Sequence, residues 1–482
     1  MRLAALAGAL LALYVAFFVV RPHSTPGPTL RDFESYWAAG SAWSVGDDPY
    51  SRQIWRAERL VPGVDADREE LLPFVGPPFG LPLWAQLARL DYSRAALVWG
   101  FVLALAFLIL TLGALRLVGG STSRGGRNIH TVDRLAVLIL AAGFGPLTSG
   151  LALGQVAVVA CAGTILALSM LRARNALGAA AGALVSALQP NIGVALAARF
   201  GERRANIALL LAAFVAIIGS FFAAGGASGT MRYLTMLRDH ARAEQFLAIQ
   251  TTPAAVARAF GASPQLAAGI GLALAALVLL RLFVQLTFHG RDDARRFAIA
   301  SAALPLAWPF AHEHDLTLLF FPALFALRRS EGVVRIIAVA GALLVAVDWL
   351  GLAQRPDGLR QTLALTAAAT LAMVILIRGL PWPTIAVGLM TIAAIVCLRE
   401  VAAAHPLPIW PDALPANFHM DHAASATMVW AAEQHAAGID RLDSIWATLR
   451  ALSLAGCSFL WFATSMASKR PNQTVLASAP KP

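Results

Sequence analysis

Asp32 is the residue on which a chemical reading of this sequence turns. It lies in Arg31-Asp32-Phe33-Glu34-Ser35-Tyr36-Trp37-Ala38-Ala39-Gly40, just after an apolar segment that ends near Val20. Read as a helix over 29–44, the stretch sets Asp32, Tyr36, Ala39 and Trp43 on one face, with Phe33, Trp37 and Gly40 beside it. Aromatic residues of this kind settle at the headgroup level of a bilayer. The helix is expected to lie along a membrane surface and to hold a carboxylate, a possible general base, at its edge. The same residues support a structural role. Thr29-Leu30-Arg31-Asp32 has the form of a capping box with Thr29 as N-cap, in which the carboxylate answers the helix N-terminus. The two roles are compatible, because a capped, ionised carboxylate is still a base.

Other polar residues stand out against apolar surroundings. Gln189-Pro190-Asn191 interrupts an apolar run over 176–198, and proline there breaks a helix. Gln155 follows Gly154 at a helix start, either as a polar cavity wall or as a helix-end hydrogen bond. Arg238-Asp239-His240 lies in an amphipathic stretch that is either a solvated face or an anion contact. His312 and His314 share a short turn with Asp315, which can cap the helix that follows. A His-x-His pair can bind zinc, but the sequence offers no evident third ligand, so neither metal nor cofactor is expected.

The elements that position these residues are membrane helices. Of 482 residues, 58% are hydrophobic and 13% charged, where a soluble chain would carry about a quarter charged. The net charge of +11 does not indicate nucleic acid, because the arginines sit in short blocks between apolar runs. Cys161, Cys397 and Cys457 fall inside apolar segments and form no disulfide framework. Runs of spanning length can be read near 3–20, 95–117, 133–150, 154–171, 205–224, 265–288, 297–311, 315–327, 333–352, 359–377, 382–401 and 447–467. The expected fold class is all-α, a polytopic transmembrane bundle of about twelve crossings.

Orientation follows from the arginine blocks. They fall on the cytoplasmic side if both ends are cytoplasmic and 176–198 is a re-entrant pair of half-helices meeting at Gln189. A break at that depth must be buried in protein or line a cavity. Loops 21–94 and 402–446 are then outside. Residues 1–401 form the transmembrane core, 447–467 the last span and 468–482 a cytoplasmic tail. Arg291, Arg295 and Arg296 are inside anchors, which leaves Arg238, Arg242, Arg355 and Arg360 as outside cations, Arg238 foremost.

Asp32-Phe33, Tyr36-Trp37-Ala38-Ala39-Gly40 and Gly46-Asp47-Asp48-Pro49-Tyr50 together resemble the opening of glycosyltransferase family 87. Pro77-Pro78-Phe79, Gly154-Gln155 and His314 match in further places, so the resemblance spans about residues 1–330. It implies an integral-membrane enzyme of the C-type glycosyltransferase superfamily, in the inner membrane of a bacterium, with its site on the outer side. The implied donor is a polyprenyl-phosphate sugar, the hexose mannose among the possibilities. The acceptor is an envelope glycan or lipid, and the implied base is Asp32. Tyr36, Gln155, Gln189, Asn191, Arg238, His312 and His314 are the expected substrate-binding residues. One carboxylate suffices for an inverting displacement, whereas retention wants two about 5 Å apart. Where the family often carries Lys-Pro, this chain has Gln189-Pro190; an amide can hydrogen-bond a phosphate but cannot neutralise it. A transporter or flippase for lipid-linked sugars, or a non-catalytic binder of them, are the competing readings. A transporter should show mid-membrane charge pairs and internal symmetry.

Overall fold

The computed structural model describes residues 28–119, 131–288, 292–354, 358–377, 381–420 and 424–467. The first apolar run near 3–20, the tail 468–482, Arg291 and Arg355 lie outside the described residues. Among the described residues every regular element is helical. In chain order the longer helices are α1 Phe33–Ser44, α2 Tyr92–Gly119, α3 Thr131–Ala142, α4 Gly145–Leu153, α5 Val156–Arg172, α6 Ala176–Ser186, α7 Arg203–Ala223 and α8 Ala227–Glu244. They continue as α9 Pro264–Phe288, α10 Asp293–Ala303, α11 Phe320–Arg329, α12 Gly332–Ala346, α13 Leu359–Ile377, α14 Pro381–Ala403, α15 Ala426–Ala436 and α16 Ser444–Met466.

Seven described helices are long and apolar enough to cross a membrane, or eight if α3 and α4, bent by 69° at their junction, form one broken span. This is a multi-pass membrane protein, but the expectation of about twelve crossings is too high for the described residues. Three expected runs are missing from that set: 154–171, whose helix α5 has 17 residues, 297–311 and 315–327. α10 has 11 residues and ends in a turn at Leu304–Leu306, while α11 has 10 and follows the tight turn Glu313–Leu319. Each falls well short of the roughly 20 residues a span needs. Phe297, Ile299, Phe320 and Phe321 are all buried, so the apolar composition here reflects packing inside the bundle. α7 and α9 do the opposite. Phe214, Ile217, Phe222, Leu272, Phe283 and Phe288 are exposed along them, an apolar surface suited to lipid contact.

α1 packs flat on the short helix Leu81–Leu87. A Cβ at Gly40 would lie 2.3 Å from the Trp84 carbonyl carbon, so the approach requires glycine. The chain entering α1 is tied down by Tyr92, whose hydroxyl donates to the Thr29 and Leu30 carbonyls at 2.6 and 3.1 Å. The turn Asp47–Tyr50 closes by a Tyr50 N–H to Asp48 Oδ1 bond of 3.0 Å. The Tyr50 hydroxyl then reaches the Gly76 carbonyl at 3.0 Å, holding the proline-rich stretch 72–79 beneath α1.

The first loop is closed by the last. Leu71 N–H donates to Glu433 Oε1 at 2.7 Å, and Met420 N–H to Glu69 Oε2 at 2.7 Å. Arg68 donates to the Leu414 carbonyl at 2.9 Å. Segments some 350 residues apart in sequence thus form one cap over the bundle.

Candidate active site

Under that cap is a cavity of about 560 Å³. α1 supplies Asp32 and Tyr36, and the stretch after it Leu72, Pro73 and Val75. Gln155 enters from the α4–α5 junction, Gln189 and Asn191 from the break after α6, and His240 and Glu244 from α8. The turn before α11 brings His312, Glu313, His314 and Asp315. Trp410, Trp430 and Gln434 close the far wall.

Asp32 sits at the N-cap of α1, but its carboxylate makes no capping hydrogen bond. The expected capping box with Thr29 as N-cap is not formed, because the helix begins at Phe33. Instead Asp32 Oδ2 accepts from Gln155 Nε2. The chain arranges this meeting closely. Gly154 ends α4 in the left-handed region at φ +80, where a Cβ would be 2.8 Å from Leu30 and 3.0 Å from Phe33. Its carbonyl accepts from Trp99 Nε1 at 2.7 Å, and the Leu153 carbonyl accepts from Asp32 N–H at 2.8 Å. Burial raises the Asp32 carboxyl above its ordinary range, against the Gln155 hydrogen bond and the nearby His312 and Arg31 charges, which pull it down. A carboxylate poised this way is a better base than one in water.

Gln189 Nε2 donates to Asp315 Oδ1 at 2.9 Å, and Asp315 Oδ2 accepts from His312 N–H at 2.9 Å. The break after α6 is thus tied to the histidine turn. α6 is followed by the short turns Pro190–Gly193 and Val194–Arg199, so the apolar run is interrupted at Pro190.

Glu244 organises the opposite side. It is buried, and its oxygens receive His312 Nε2 at 3.0 Å, Gln250 Nε2 at 2.9 Å and Trp430 Nε1 at 2.5 Å. His240 Nε2 stands 3.3 Å away. Gln250 Oε1 is committed to Ala311 N–H at 2.9 Å, which turns its amide nitrogen toward the carboxylate. Burial alone would raise the Glu244 carboxyl, but His240, His312 and Trp430 outweigh it and bring it down to about 2. The ring of His312 is correspondingly raised: burial opposes its charge, yet the bond to Glu244 and the Asp315 and Asp32 charges prevail. His314 has burial dominant and falls to about 4, so it is neutral near pH 7.

Of the residues singled out from sequence, Asp32, Tyr36, Gln155, Gln189, Asn191, His312 and His314 all line this one cavity. Arg238 does not. It is exposed and pairs with Asp239 at 3.1 Å, because it lies two positions before His240 and so about 200° round the helix. Among the described lining residues none is Lys or Arg, so His312, whose proton affinity is raised, is the side chain suited to carry positive charge there. No set of three or more His, Cys, Asp or Glu among the described residues is placed to hold a metal ion.

Sequence reasoning missed Glu244, Trp410, Trp430 and Gln434. The signal for Glu244 was present: it is i+4 from His240 on an amphipathic helix. The others come from a loop whose closure over the first loop has no local signature.

The model of glycosyltransferase family 87 matches residues 74–309. Gln155, Gln189, Asn191, His240 and Glu244 fall inside that segment, Asp32 before it, and the histidine turn and α15 after it. Comparison with curated proteins and with solved structures gives no match.

Proposed function

The chain belongs to glycosyltransferase family 87, and from that premise we propose that it transfers a hexose, such as mannose, from a polyprenyl-phosphate donor to an envelope glycan or lipid. The reaction is an inverting displacement on the outer face of a bacterial inner membrane. The acceptor hydroxyl attacks the anomeric carbon and gives its proton to Asp32. The bond from that carbon to the phosphate oxygen breaks, and its electron pair leaves with the phosphate. Gln155 holds the base in one orientation. His312, kept cationic by Glu244, faces the charge that grows on the departing phosphate. Gln189 and Asn191 offer amide donors to the same group, in a site without Lys or Arg among its described lining residues.

The observation that carries this reading is the convergence of Asp32, with its Gln155 bond, and the Glu244-bound His312 on one cavity beneath the loop cap. A neutralised phosphodiester and a sugar fit such a site better than a diphosphate, which would call for more cationic charge.

The test is incubation of the purified full-length protein with a panel of radiolabelled polyprenyl-phosphate sugars and envelope lipids. One donor should be consumed by the parent and not by Asp32→Asn. A folded parent that consumes none of the panel would refute the proposal. A transporter would instead move an intact lipid-linked sugar across proteoliposomes without cleaving it.

A further inference from the structure

The far wall of the cavity carries polar atoms that the reaction above leaves unused. Gln434 is 1% exposed, and neither its amide nitrogen nor its amide oxygen has a hydrogen-bond partner. His240 is 6% exposed, and its Nδ1 is likewise without a partner. Both residues line the same cavity as Asp32. Buried polar atoms are rarely left unmatched, so such a pair calls for a ligand or for water.

Both belong to the wall where two helices meet. α8 packs against α15, and Trp430, one turn before Gln434, bonds the Glu244 that flanks His240. Trp430 and Trp410 meet edge to face with ring centroids 5.1 Å apart, and both line the cavity. A carboxylate 3.3 Å from His240 Nε2 selects the tautomer with its proton on that nitrogen. Burial lowers the ring's proton affinity, which favours the neutral form. His240 Nδ1 is then an acceptor, while the Gln434 amide is both donor and acceptor.

We infer that the α8–α15 junction is a sugar-ring subsite, in which His240 and Gln434 bond hydroxyl groups and the Trp410 and Trp430 indoles wall the ring. The inference rests on the glycosyltransferase reading and deepens it. Sugar hydroxyls donate and accept, as this wall requires, and the C–H faces of a pyranose suit indole surfaces. A phosphate does not fit here: it needs donors alone, and it would meet an imidazole lone pair beside the Glu244 carboxylate. Trp410, Trp430 and Gln434 lie beyond the segment that matches the family, and His240 lies within it.

The experiment is calorimetric titration of the purified full-length protein with methyl glycosides of glucose, mannose and galactose, in the absence of any donor. One glycoside should bind the parent. Gln434→Leu should weaken it about two- to tenfold, the effect of one or two lost hydrogen bonds. Deoxy analogues of that glycoside, titrated into the unaltered parent, should show a loss of similar size at one or two ring positions, which holds even if the variant folds poorly. KM values for donor and acceptor in Gln434→Leu then identify whose sugar occupies the subsite. No binding of any methyl glycoside, or binding insensitive to Gln434→Leu and to every deoxy position, overturns the inference. Because no donor is present, this outcome is separate from a failure to consume polyprenyl-phosphate sugars, which would strike the proposed function itself.

Discussion

Gln189 and Asp315, 126 residues apart, are joined by an amide-to-carboxylate hydrogen bond of 2.9 Å. Asp315 is 1% exposed and its second oxygen holds the backbone of His312. The helix break that supplies Gln189 and the turn that supplies both histidines are therefore positioned as a unit. An apolar side chain at 189 would leave one oxygen of a buried carboxylate short of a partner.

Gln189→Leu should lower stability by about 1.5–3 kcal/mol, the range for a hydrogen bond to a charged group. Gln189→Lys should stay near the parent, since an ammonium can pair with Asp315. Thermal unfolding in detergent checks both. Equal melting of parent and Gln189→Leu would show that the bond does not hold the turn in place.

Much of this site was legible because it rests on local rules. Asp32 and Tyr36 share a helix face by spacing alone, and a proline after Gln189 forces a break whose freed backbone must be buried in protein or line a cavity. Arg238 went astray through the same geometry: its neighbour His240 occupies the inward face. The crossing count failed for a different reason. Composition cannot tell a helix buried in protein from one bathed in lipid, and Phe320 and Phe321 are apolar because they are core. The far wall was illegible because Gln434 reaches the site only after loops from opposite ends of the chain close on each other, through bonds such as Leu71 to Glu433.

Those loop contacts fix a relation between sides. Leu71 bonds Glu433 and Met420 bonds Glu69, so loops 21–94 and 402–446 must face the same compartment. Val45→Cys and His419→Cys, each at an exposed position and in a Cys397→Ser background, should both react with an impermeant maleimide in intact cells. Labelling of only one contradicts the loop pairing. Protection of both places the site in the cytoplasm.

The pH profile should be bell-shaped. Asp32 must be ionised to act as a base, and burial has raised its pKa, so activity should rise with pH through a limb above the ordinary carboxylate value of 3.8. His312 must be protonated to face the phosphate, and its pKa is raised, so activity should fall with pH through a limb above 6.5. Gln155→Leu removes a bond that lowers the Asp32 pKa and should move the acid limb to higher pH. Glu244→Gln removes the charge that supports His312 and should move the alkaline limb to lower pH. The kcat/KM profiles of the three proteins check this; limbs that stay in place in both variants would detach these residues from the titrations.

Asp32→Asn should abolish transfer while leaving the fold intact. The substitution is nearly isosteric, and its oxygen can still accept from Gln155 Nε2. It removes the basic lone pair that an attacking hydroxyl needs, a loss of typically about 10²–10⁴-fold in rate. The carboxylate makes no cap bond to α1, so little stability should go with it. Glu34→Gln is the matched control. Glu34 is fully buried, is absent from the cavity wall, and has its carboxyl pushed up to about 8 by burial. It is therefore mostly protonated near pH 7, and its amide replaces one neutral group with another. Turnover with a single donor and thermal unfolding should be measured for both variants. Asp32→Asn turning over within about threefold of the parent would remove Asp32 from the role of base, since general-base help is worth far more than that.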